Sequence, residues 1–198
     1  MTPRSILVVT DFSELGGHAL ARAALLGAEH RAALQLVYLS APGEVPPPDV
    51  AVRLSHHALQ LRQRHQIAVQ AVSRVDCTVA DIARAAAAHD LVVWGTAPQR
   101  GLRAWWGTHP ALQLLRACQR PVVVVRNAAD QTYQSLLVAV DFSQASHRLV
   151  ELGLAHHPRA RVELFHAIST ANEGKLRYAE VSERAIQIYR EQCRRHAQ

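Results

Sequence analysis

Three glycines, Gly95, Gly101 and Gly107, with Thr108 closing the series, follow the apolar run Leu91-Val92-Val93-Trp94. A glycine-rich loop after a strand lets backbone amides approach an anion. A helix opened by Gly107-Thr108 would turn its N-terminal N–H groups toward a phosphate. Arg100 and Arg103 offer direct charge to the same ligand. Pro98 works the other way, because proline has no N–H and its fixed φ of about −65° excludes the positive φ of a glycine. The competing use of such a loop is packing. Trp105 and Trp106 fit that use, with one ring buried and the other at a contact surface.

Other chemistries find less support. Cys77, Cys118 and Cys193 are scattered and form no CxxC, which argues against a disulfide framework or zinc and fits a reducing compartment, and Cys77 and Cys118 read as small core residues. His56-His57 and His156-His157 are adjacent pairs whose side chains diverge by about 100° on a helix, and no HxxxH or HExxH occurs, so no metal site is expected. No nucleophile or acid–base constellation can be nominated, and TDFSELGGHA is neither SGGxDS nor HxGH, so the chain is not expected to be an enzyme. The net charge of +6 rests on arginine, and residues 91–129 carry five arginines and no acid. That excess suits a bound phosphate. Without a recognisable nucleic-acid motif, it does not argue for RNA or DNA. No apolar run approaches the roughly 18 residues of a membrane span, and a cytoplasmic location is expected.

The elements that must position the loop alternate regularly. Residues 5–10 (SILVVT) read as a buried strand stopped by Asp11-Phe12-Ser13, a helix N-cap. A helix from Ala19 to His30 follows, with Ala19, Ala23 and Leu26 on its apolar stripe. Leu34–Ser40 is a second strand, Ala41–Pro48 a proline-rich loop, and Asp49–His65 a helix with Val52 and Leu59 facing away from its charges. Ile67–Val75 reads as strand, and Asp76–His89 as a helix carrying Val79, Ile82, Ala83 and Ala86. Leu91–Trp94 is strand, Ala111–Ala117 helix and Pro121–Arg126 strand. This alternation predicts an α/β fold with a doubly wound parallel sheet of five strands, covered on both faces. Ligands of such sheets sit beyond the carboxyl ends of the strands, where Asp11, Leu39 and Gly95 all fall.

The chain then begins again. SLLVAVDFS at 135–143 repeats SILVVTDFS at 5–13, VELFHAIS at 162–169 repeats the second strand, and Gly174–Ala197 repeats the second helix. The division expected is a complete domain over 1–127 and an incomplete second repeat over 134–198, joined by Asn127–Gln134. Asp141 and Ser143 need only cap their helix, so no ligand is expected there.

The ILVVTDFS opening, the DLVVWGT junction (Asp90–Thr96), Gly107-Thr108 and the closing PVVVVR resemble the universal stress protein family in tandem form. The resemblance implies a stress-response regulator that binds ATP or ADP, with no metal beyond an ion carried by the nucleotide. Asp11, Leu39, Gly95, Gly107 and Thr108 match the family's binding positions, and Gly101 adds freedom to the loop. The family's second glycine is Pro98 here, and eight residues rather than nine precede Gly107. The alternative is a nucleotide-free dimerisation or interaction module. The resemblance also implies a homodimer through Val122–Val125, supported by the second repeat and its apolar stripe of Tyr178, Val181, Ala185 and Ile188.

Overall fold

The structure, a computed structural model, describes residues 2–40, 45–72, 78–95, 110–167 and 182–196. The chain divides into two compact units, Met1–Thr132 and Tyr133–Gln198.

In the first unit, short β-branched runs alternate with helices: β1 (Ser5–Thr10), α1 (Glu14–His30), β2 (Ala33–Tyr38), α2 (Val50–His65), β3 (Val69–Ala71), α3 (Val79–Ala86), β4 (Leu91–Gly95), α4 (Pro110–Ala117) and β5 (Val122–Val125). The strands form one parallel sheet in the order β3-β2-β1-β4-β5. β1 and β4 lie at its centre and are apolar on both faces, as strands buried between two helical layers must be. Ile6 and Val8 pack with Ala19, Ala23 and Leu26 of α1 and Leu54 of α2. Leu7, Val9 and Trp94 pack on the other face with Ile82 of α3 and Leu114 of α4.

Several boundaries differ from those read in the sequence. α1 starts at Glu14 rather than Ala19, because the Ser13 hydroxyl caps it by accepting a hydrogen bond from the Gly16 amide at 3.1 Å. β3 shrinks to three residues, and α3 runs only from Val79 to Ala86 after a Thr78–Asp81 capping box. In α2 the expected face is wrong. Val52 and Leu59 are 71% and 49% exposed, and the core is met by Val50, Leu54 and Ala58 at i, i+4 and i+8.

The amino-terminal ends of β1 and β4 are tied together by one carboxylate. Asp90 Oδ2 accepts from the Arg4 amide at 2.9 Å, the Ser5 amide at 3.0 Å and the Ser5 hydroxyl at 3.1 Å. The Arg4 amide holds the Asp90 carboxyl below the usual range, with help from Ser5 and Arg120 and against the upward push of burial. A depressed folded pKa contributes stability that is full above the unfolded value of about 3.9 and is lost as pH falls through the folded one. Asp90→Asn should therefore cost about 1 kcal/mol at pH 7, after discounting for solvent screening. The gap should narrow as pH falls below the unfolded value and through the folded one. Urea denaturation along an acid series starting at pH 7 reads this, and a gap that stays the same size throughout would mean that the charge is idle.

The second unit contains β6 (Ser135–Val140), α5 (Gln144–His156), β7 (Arg161–His166) and α6 (Glu183–His196), with β6 and β7 paired in parallel. Its Asp-Phe-Ser turn copies the first. The Ser143 amide donates to Asp141 Oδ1 at 3.0 Å, and the Ser146 amide donates to the Ser143 hydroxyl at 3.2 Å. Hydrogen bonds from Ser143, side chain first, lower the Asp141 pKa to about 2. The expected stripe of α6 is shifted. Ile186 is buried at 2% exposure while Ile188 is 51% exposed, and Tyr178 and Val181 lie outside the described residues.

Candidate functional site

Adjacent parallel strands end together, so β2, β1 and β4 bring Leu39, Asp11 and Gly95 to one edge of the sheet. Each does something specific there. Asp11 is exposed, and its Oδ1 accepts from the Ser13 amide at 2.9 Å and the Ser13 hydroxyl at 2.5 Å. The carboxylate thereby holds the residue that caps α1. The Leu39 amide donates to the Thr10 carbonyl at 3.0 Å while its side chain is buried with Val9, Val37 and Trp94.

Gly95 meets a packing limit. A Cβ placed on it would fall inside the van der Waals shell of the Leu15 carbonyl oxygen and against the Gly16 amide. The first turn of α1 therefore crosses the end of β4 at backbone distance, and only glycine fits. Gly16 is part of the same joint, its missing Cβ leaving room for Thr10 Oγ1 and Asp11 Oδ1. The sequence alone assigned Gly95 to phosphate approach. Its contact with a residue 80 positions earlier is visible only in three dimensions.

Phe12, which sequence reasoning passed over, organises the rest of this corner. It has a positive φ of 59°, rare for an aromatic residue, between Asp11 and Ser13. Its ring stacks on Tyr38 with centroids 4.9 Å apart and on His57 at 5.8 Å, and the Arg53 guanidinium lies 4.1 Å above it. Burial, then His56 and Arg53, lower the His57 pKa, which keeps that ring neutral at pH 7. In the second unit Phe142, φ 61°, takes the same position against His166 at 4.6 Å. A doubled Asp-Phe-Ser before two helices was the signal for this device.

Gly101, Gly107 and Thr108, together with Pro98, Arg100, Arg103, Trp105 and Trp106, lie outside the described residues. α4 begins two residues after Thr108 and is held by Leu114, which is fully buried. Cys118 is half-buried against the same cluster. Among the described residues no group of three His, Cys, Asp or Glu is placed to hold a metal ion. No helix among them is long and apolar enough to cross a membrane. Among the described residues this edge offers backbone, one carboxylate and an aromatic stack.

Residues 3–126 match the family model described as the universal stress protein family. None of the curated proteins matches the chain. Among solved structures, a universal stress protein from Archaeoglobus fulgidus DSM 4304 is 14% identical with a TM-score of 0.71, covering 91% of this chain and 71% of that one. A functionally unknown protein from Pseudomonas aeruginosa PAO1 is 26% identical with a TM-score of 0.61, covering 98% and 68%. A universal stress protein in complex with cAMP is 17% identical with a TM-score of 0.55, covering 65% and 100%.

Proposed function

The chain belongs to the universal stress protein family, and from that premise we propose that its first unit is a nucleotide-responsive regulator that binds ATP or ADP. The binding edge is the one formed by Asp11, Leu39 and Gly95, completed by Gly101, Gly107 and Thr108. The observation that carries this reading is the convergence of three neighbouring strand ends on an open carboxylate, the place where α/β sheets take ligands. One protein of the same fold was solved with cAMP, the same class of ligand. Bound nucleotide acts as a signal and not as a substrate, in the cytoplasm. Residues 134–198 are a second repeat of the start of the first unit, a reading supported by the shared Asp-Phe-Ser geometry. The half-buried edge strand β5, Val122–Val125, supplies a homodimer contact.

Mass spectrometry of the nucleotide released by heating the purified protein tests the reading, followed by calorimetry with ATP and ADP. Asp11→Ala should weaken binding about tenfold, as expected for losing one charged hydrogen-bond acceptor. A second reading has its own observation. Gly95 is fully accounted for by the Leu15 carbonyl and Asp11 by Ser13, so the edge is also complete as a packing joint. Empty protein and no calorimetric signal at millimolar nucleotide would select that reading, a nucleotide-free dimerisation module.

A further inference from the structure

Phe12 holds a backbone conformation that its residue type disfavours. Its φ of 59° is left-handed, which crowds Cβ against the following carbonyl oxygen and favours glycine. Such a residue persists only where its surroundings over-determine it. Part of that constraint is polar. The Phe12 amide donates to Thr10 Oγ1 at 3.1 Å, and the Ser13 amide donates to Asp11 Oδ1 at 2.9 Å. The ring supplies the rest. It lies on Tyr38 of β2 and His57 of α2, with the guanidinium of Arg53 above it, so two elements grip one side chain.

The grip recurs. Tyr38 ends β2 in register with Thr10, and Phe12 follows Thr10 by two positions. His166 ends β7 in register with Val140, and Phe142 follows Val140 by two. Phe142 is again left-handed, and its ring again meets that strand-end ring. His166 is itself fixed, its Nδ1 lying 2.8 Å from the Val140 carbonyl oxygen. A tyrosine in one unit and a histidine in the other take the same place, so it is the pairing of rings that accompanies the left-handed turn. The turn in turn decides how Asp11 is used. Oδ1 accepts from the Ser13 amide and hydroxyl, and Ser13 caps α1. Oδ2 accepts no hydrogen bond among the described residues, on a side chain exposed at the sheet edge.

We propose that Phe12 is a positioning residue for the nucleotide edge. Gripped by β2 and α2, its ring keeps the turn left-handed and so keeps Asp11 tied to Ser13 through Oδ1, with Oδ2 left for the ligand. The role is exercised through Asp11, and its effect on affinity rests on the nucleotide reading of this edge. If the ring lets go, residue 12 relaxes toward negative φ and the Asp11–Ser13 hydrogen bonds are lost. A ligand then meets the competent turn in only a fraction of molecules, and its apparent affinity falls by that fraction. For a residue with a Cβ and no grip, the left-handed state is disfavoured by roughly tenfold. The same arrangement joins the edge to α2, because Arg53 and His57 act on Asp11 only through this ring.

Glycine separates positioning from packing. Phe12→Ala and Phe12→Gly delete the same ring, but only glycine takes a positive φ without strain. The first readout is hydrogen exchange of the Ser13 amide, followed by NMR in the full chain without nucleotide. Exchange should be about tenfold faster in Phe12→Ala and within about threefold of the unaltered chain in Phe12→Gly. Calorimetry with ATP should give the same order, about tenfold weaker in Phe12→Ala and largely recovered in Phe12→Gly. A ring that only packs predicts no recovery, because glycine adds chain entropy to the same loss of burial. Arg53→Met removes the guanidinium above the ring and should speed Ser13 exchange about threefold. If Phe12→Ala fails to fold, that variant carries the test, and unchanged Ser13 exchange in it overturns the proposal. So does equal exchange in Phe12→Ala and the unaltered chain, or in Phe12→Gly and Phe12→Ala, or ATP bound as tightly by Phe12→Ala as by the unaltered chain. An unaltered chain that binds no ATP overturns the nucleotide reading instead, and Ser13 exchange then decides the role of Phe12 alone.

Discussion

Gly95→Ala should unfold the first unit at a temperature about 10 °C lower than the parent chain. The added methyl meets the Leu15 carbonyl and the Gly16 amide, which are backbone and cannot rotate away as a side chain would. Relief requires the start of α1 to move off the sheet. Asp11, Ser13 and Gly16 are linked by hydrogen bonds in that same turn, so the cap would be disturbed along with the packing. Overpacking of this kind costs about 3 kcal/mol, near the top of its ordinary range. For a unit of this size that is roughly 10 °C in Tm. Thermal unfolding followed by circular dichroism reads the effect. A Tm unchanged within a degree or two would mean that the joint is looser than described and would return Gly95 to a purely ligand-facing role.

Leu114→Ala should cost about 3 kcal/mol and act first on α4. Leu114 is the only fully buried residue described in that helix, while Leu112 and Leu115 are 42% and 45% exposed. Its side chain fills the space among Leu7, Ile82 and Trp94, and truncation leaves a cavity there. With its anchor gone, α4 should detach at lower free energy than the sheet, a local opening rather than a global one. Hydrogen exchange should show the amides of residues 114–118 losing protection before those of β1. On the proposed nucleotide-binding reading, affinity should fall with it, because Thr108 stands two residues before this helix in the sequence. Uniform loss of protection across the unit would show α4 to be part of a single cooperative block.

Gly16 and Gly95 mark how far the sequence carries and where it stops. β1, β4 and their order with the helices were legible because fully buried strands must be continuous apolar runs, and Ile6–Val9 and Leu91–Trp94 are such runs. The Ser13 cap was legible as a local pattern. The start of α1 was not, since Gly16 and Gly17 lower helix propensity and tertiary contact at Thr10 and Gly95 overrides them. α2 misled for a related reason. Val52 and Leu59 are apolar, but the sheet meets the neighbouring stripe of Val50, Leu54 and Ala58. That Asp11, Leu39 and Gly95 share one edge was legible from topology alone. The Phe12 stack was not, because Tyr38, Arg53 and His57 come from β2 and α2 and meet it only after folding. Contacts that span distant sequence leave no periodic trace.

The strand order also sets a schedule. β1 is made first and sits in the middle of its sheet, with β2 on one side and β4 on the other. Ser5 and the Asp90 that ties it down are 85 residues apart. At roughly 5–20 residues per second, a ribosome takes about 4–17 s to deliver the second neighbour. β2 arrives early and covers one side, but β1 waits through α2, β3 and α3 for the other. For that interval the speed of synthesis, more than the stability of the finished fold, governs how often this strand meets a wrong partner.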